Sequence, residues 1–101
     1  MALQSNISGT AVTSVLAAGE NVNKIESIRL TSTHGSTAAV VDLFIDSNSL
    51  GTYYIIKNLS IPAGASLILT DGISFDNSSS GYTLYAKLAS GTLDILINKK
   101  L

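Results

Sequence analysis

The chain has 101 residues, no cysteine, six basic residues against seven acidic ones and a formal net charge of −1. That length fits one domain able to bury a core without staples, and the missing cysteines exclude disulfides, thiolate zinc sites and cysteine nucleophiles. The charge balance leaves no electrostatic footprint for nucleic acid, and no apolar run approaches the roughly 20 residues that span a bilayer.

Hydrophobic residues make up 46% and charged residues only 13%, so the surface is finished by Ser, Thr, Asn and Gly. Such a surface suits packing against other protein. Met1-Ala2-Leu3-Gln4-Ser5 has neither a charged region nor a continuous apolar core, so no secretion signal is expected. Residues 1–9 read as an N-terminal arm or first strand, ahead of a single domain over 10–101.

Period-two alternation then runs through the chain, with no amphipathic helix pattern. Thr10 to Leu16 predicts a strand and Ala17 to Asn21 a turn. In Lys24 to Ser32, Ile28 and Leu30 share one face and Arg29 and Thr31 the other. Thr33 to Thr37 is a loop. Ala39 to Asp46 sets Val41, Leu43 and Ile45 against Val40, Asp42 and Phe44. The Asp46 to Gly51 turn makes Thr52 to Leu59 its hairpin partner, but bulk on both faces of that segment leaves its buried side open.

The only proline lies in Ile61-Pro62-Ala63-Gly64, which suits a type II-like turn or a strand crossing at the edge of a sandwich. Ser66 to Thr70 and Ile73 to Phe75 are short strands around an Asp71-Gly72 turn. Asp76 to Gly81 is the most polar loop. Tyr82 to Leu88 and Leu93 to Asn98 alternate cleanly on either side of Ala89-Ser90-Gly91 and read as a hairpin. Seven to eight short strands at such spacing predict an all-β, antiparallel two-sheet β-sandwich, jelly-roll or Ig-like.

No catalytic constellation stands out. His34 is the sole histidine and no nucleophile elbow is present, so a solvated loop histidine and no enzyme activity are expected. Asp46-Ser47-Asn48, Asp71 and Asp76-Asn77 offer oxygen ligands of the kind calcium takes, but Asp, Asn and Ser in turns ordinarily bond their own backbone. No metal, cofactor or small-molecule ligand is therefore expected. The sequons at Asn6, Asn58 and Asn77 read as products of an Asn- and Ser-rich chain. Among the aromatics, Phe44, Tyr53, Tyr54 and Tyr85 are candidate anchors for a protein partner. Met1, Ala2, Leu3, Gln4 and Ile7 of the arm are candidate contacts by strand addition.

Lys24-Ile25-Glu26-Ser27-Ile28-Arg29-Leu30-Thr31-Ser32-Thr33, the Gly35-Ser36 turn and Ala39-Val40-Val41-Asp42-Leu43-Phe44-Ile45 together resemble the opening of small β-sandwich virion proteins of tailed bacteriophages. The resemblance continues through Tyr54-Ile55-Ile56-Lys57-Asn58-Leu59-Ser60-Ile61-Pro62-Ala63-Gly64-Ala65-Ser66-Leu67 and closes on Ser90-Gly91-Thr92-Leu93-Asp94-Ile95-Leu96-Ile97. It implies a non-enzymatic virion structural protein, assembled in the host cytoplasm and repeated by symmetry. The expected role is a capsid decoration or cement protein that binds the assembled shell, with the major capsid protein as partner and a homo-oligomer as its form. The alternatives are a neck, tail or baseplate component, or a host-surface carbohydrate-binding module with Tyr53, Tyr54 or Tyr85 as sugar platforms.

Overall fold

A computed structural model describes residues 3–70 and 73–99, so the Asp71-Gly72 turn and the arm residues Met1 and Ala2 lie outside the described residues. Nine strands and no helix are present among them: β1 (Leu3–Ser8), β2 (Thr13–Leu16), β3 (Lys24–Ser32), β4 (Ala39–Ser47), β5 (Gly51–Ile61), β6 (Ser66–Leu69), β7 (Ile73–Ser74), β8 (Thr83–Ser90) and β9 (Thr92–Lys99). Among the described residues no helix is long and apolar enough to cross a membrane. The first strand is thus residues 3–8, and Gly9 to Val12 connects it to β2, so the strand expected over Thr10 to Leu16 starts only at Thr13.

The strands form two antiparallel sheets, β1-β9-β3-β6 with β7 also on β3, and β2-β8-β4-β5. The pairings β1 with β9, β2 with β8, β3 with β6 and β4 with β5 are those of one long antiparallel ribbon rolled over itself. This is the jelly-roll connectivity, and it decides between the two sandwich types that the strand spacing allows.

The core lies between the sheets and follows the alternation. Ile28 and Leu30 of β3, Val41 and Leu43 of β4, Leu84, Ala86 and Leu88 of β8, and Leu93 and Ile95 of β9 are fully buried. Each large side chain of this set contributes on the order of 2 kcal/mol through removal from water. Ile25 joins Ile28 on the inner face, three positions away, because a bulge shifts the register between Ile25 and Ser27.

The predicted hairpin of the last two long strands is not formed. β8 belongs to one sheet and β9 to the other, with only Gly91 between them. The alternation is satisfied equally by strands that pair side by side and by strands that face each other across a core, and a two-residue connection is the shortest common hairpin loop. Gly91 makes the crossing at φ 78°. A Cβ there would stand 2.7 Å from the Ala38 carbonyl oxygen and 2.9 Å from Ala39 Cα.

The Asp46 to Gly51 segment does form the expected hairpin. The Leu50 amide donates to the Ser47 carbonyl at 3.2 Å, and Gly51 follows at φ 100°. The proline corner is also a sheet crossing, from β5 to β6. The Ala65 amide donates to the Pro62 carbonyl at 2.9 Å with Gly64 at φ 80°, so the type II-like turn spans Pro62 to Ala65, one residue later than Ile61 to Gly64. The Gly64 amide donates to the Ser32 carbonyl and the Ser32 amide to the Ala65 carbonyl, which ties the corner to the end of β3. The Ser32 hydroxyl beside it is buried and has no hydrogen-bond partner.

Two substitutions test these readings by urea denaturation. Gly91→Ala should lower stability by about 2–4 kcal/mol, from left-handed backbone strain and the backbone clash together. Ser32→Ala should be neutral or stabilising by up to about 1 kcal/mol, because it removes a buried hydroxyl that pairs with nothing.

Candidate functional site

β5 explains why its buried side is illegible in sequence. Val41 pairs with Leu59, Leu43 with Ile56, and Phe44 with Tyr54, so β5 spends three residues and then two where β4 spends two and then one. Each irregularity flips the parity of β5 against β4. Asn58 takes up the first at φ 51°, and its amide donates to the Asp42 carboxylate at 2.7 Å.

The result is an aromatic row on the outer face of the β2-β8-β4-β5 sheet. Ser14, Tyr85, Phe44 and Tyr54 stand opposite one another on successive strands, and opposite residues of antiparallel strands share a face. Phe44 lies 5.5 Å from the Tyr85 ring, nearly stacked at 26°, and 5.1 Å from the Tyr54 ring, tilted at 40°. Lys57 places its Nζ 4.3 Å from the Tyr54 ring centroid, a cation–π contact. Tyr54 remains 49% exposed, while Phe44 and Tyr85 are half-buried by their neighbours.

Tyr53 stands apart. It faces Ile45, which pairs with Leu84 on its other side, so Tyr53 lies on the core side of the sheet beyond the rim of the core. It is 57% exposed and meets Tyr82 edge-on, with centroids 6.0 Å apart. Of the arm residues, Gln4 is exposed, whereas Ile7 is 3% exposed and part of the core. The Ile7 side chain is therefore turned into the core by the alternation of β1, and what β1 leaves open at the edge of its sheet is backbone. Leu3 is placed by its backbone pairing with Ile97.

At one end of the aromatic row the sheet opens into a cleft of about 320 Å³, lined by Asp46, Asn48, Ser79, Ser80, Thr83 and Tyr85 among others. Its lining is hydroxyl, amide and one carboxylate, and Asp46 already accepts a hydrogen bond from the Thr52 hydroxyl. The sole imidazole is committed elsewhere: His34 Nδ1 accepts the Ser36 and Thr37 amides at 3.1 and 3.0 Å, which puts the proton of the neutral ring on Nε2. Among the described residues no group of three or more His, Asp or Glu is arranged to hold a metal ion.

The loop from Asp76 to Gly81 has a structural centre that its composition hides. Asn77 is fully buried. Its Oδ1 accepts the Val22 amide at 3.0 Å, and its Nδ2 donates to the carbonyls of Ala17 and Tyr82 at 3.1 and 2.9 Å. Its backbone carbonyl accepts the Gly19 and Asn21 amides, and its own amide donates to Asn23 Oδ1. Beside it, Asp76 accepts the Ser78 amide, and hydrogen bonds from Ser78 hold its carboxyl below the usual aspartate range. These residues bond protein, as the turn chemistry of Asp and Asn predicts.

No known family model matches the chain, and no curated protein matches it in sequence.

Replacing Asn77 with Ala would remove the partners of the Val22 amide and the Tyr82 carbonyl and leave the Ala17 carbonyl only the Glu20 amide at 3.3 Å. The expected loss is about 2–4 kcal/mol in chemical denaturation, with the aromatic row, on another part of the molecule, still formed in the residual native state.

Proposed function

We propose that this chain is a non-enzymatic structural protein of a tailed-phage virion, a capsid decoration subunit that docks through the outer face of the β2-β8-β4-β5 sheet. The observation that carries the docking face is the registered row Tyr85, Phe44 and Tyr54 on that face. Aromatic side chains supply large contact area at low entropic cost and dominate interface energetics. A virion setting is supported by the sequence resemblance over residues 10–98. Jelly rolls recur in viral capsid proteins and in lectins, though a fold alone assigns no function.

The mechanism is linkage. A subunit that binds only the assembled shell stabilises it by mass action, and many copies on a lattice raise the effective affinity. Partner contact on the aromatic row displaces water from three rings at once and draws on the exposed ring of Tyr54 first.

The lectin-like reading has one observation in its favour, the hydroxyl- and amide-lined cleft that abuts Tyr85. Binding on a glycan array that disappears in Tyr85→Ala would favour it over shell docking.

The test of shell docking uses particles purified without this protein and re-decorated in vitro. Tyr54→Ala should lower the affinity for particles at least about tenfold while changing the melting temperature little, since Tyr54 is half-exposed. Re-decorated particles should resist heat and osmotic shock better than bare ones, with copy numbers in the hundreds. Equal resistance of bare and decorated particles would overturn the cement role, and a single ring of copies would assign the protein to the neck or tail.

A further inference from the structure

A two-sheet sandwich has four edges, and three of them here carry devices that prevent another strand from adding. β5 is irregular twice against β4 and carries Lys57 and the left-handed Asn58. β2 has four residues, with its register broken between Ser14 and Leu16. The opposite edge of the first sheet is split between β6, with four residues, and β7, with two. Short, bulged, charged or interrupted strands are the common means by which sheet edges are kept from pairing.

The fourth edge is β1, and it has none of these. Its six residues, Leu-Gln-Ser-Asn-Ile-Ser, pair one to one with β9 from Leu3 opposite Ile97 to Ser8 opposite Thr92, without a shift. The strand contains no charge, no proline and no glycine. Among the described residues β9 is the one strand paired with it, so its other side presents a row of backbone donors and acceptors over an ordinary strand length.

We infer that the β1 edge is a self-association site, where two copies of this chain pair β1 antiparallel to β1 and join their β1-β9-β3-β6 sheets into one. A second copy fits for three reasons. Antiparallel pairing of a strand with itself closes under a two-fold axis. A neutral strand meets its own copy without like-charge repulsion. With Ser5 on the axis, Gln4 of each copy stands opposite Asn6 of the other on the exposed face; each amide is both donor and acceptor. That register keeps both cores on the same side of the joined sheet, because opposite residues share a face. The edge lies on the first sheet, away from the aromatic row, so the inference does not rest on the virion reading.

The experiment is sedimentation equilibrium of the isolated protein, with single-cysteine crosslinking as a second measurement. The wild-type chain should sediment at twice its monomer mass. Gln4→Lys with Asn6→Lys, which sets like charges opposite each other on an exposed face, should shift it to the monomer mass with an unchanged β-sheet circular dichroism spectrum. The chain has no cysteine, so Ser5→Cys should give a disulfide-linked dimer on mild oxidation, and Thr52→Cys on the β5 edge should not. A monomeric wild-type protein, a dimer of the folded Lys variant, or crosslinking through Thr52→Cys in place of Ser5→Cys would each overturn the inference. If the Lys variant does not fold, the cysteine pair decides alone.

Discussion

The buried amide of Asn77 fastens the two sheets at one end of the sandwich. The chain crosses there twice, from β2 to β3 through residues 17–23 and from β7 to β8 through residues 75–82. One side chain bonds the backbone of both crossings, with its oxygen and both amide hydrogens engaged. An amide buried without partners costs several kcal/mol, and one with every partner in place favours a single arrangement of the groups around it. Because β2 pairs with β8 and β3 with β7, holding these two crossings together also aligns strands in both sheets.

At the other end the crossings are made by backbone geometry. Gly91 lies against Ala38 and Ala39, the Ser90 hydroxyl donates to the Ala38 carbonyl, and the Pro62 to Ala65 turn is bonded to Ser32. With both ends tied, each sheet turns one face to the core and the other outward. The two outward faces differ: one carries polar pairs such as Asn6 with Asp94 and Asn98 with Ser27, the other the aromatic row. The doubled irregularity of β5 serves two ends at once: its two parity flips cancel but advance the register by two residues, which sets Tyr54 opposite Phe44 to complete that row, and it breaks the edge against strand addition. The aromatic face and the β1 edge are thus separate surfaces of one sandwich, so the proposed docking and the proposed self-association do not compete for the same residues.

Much of this architecture was legible from residue pattern. Alternation located the strands, and it correctly turned Leu84, Ala86 and Leu88 inward and placed Phe44 on the face of Asp42. The Asp46 to Gly51 hairpin and the proline corner followed from turn chemistry, because Gly, Pro, Asn and Asp act through local backbone preference. The candidate aromatics were also nameable, but not their grouping: Tyr53 and Tyr54 are adjacent in sequence and end on opposite faces of the sheet. Asn77 was read with its polar loop, since composition does not distinguish an amide that faces water from one that replaces water for three backbone groups.

The sequence by itself determined the class of the fold, the positions of its strands and most of its inward-facing residues, because period-two burial and turn preferences act over a few neighbours. Tertiary structure decided which strands pair, and so separated β8 from β9, resolved the parity of β5, turned Ile7 into the core and left β1 as the unguarded edge. Those outcomes depend on what stands across a sheet or across a core. Alternating residues satisfy a neighbour and an opposite strand equally well, so only the assembled chain distinguishes them.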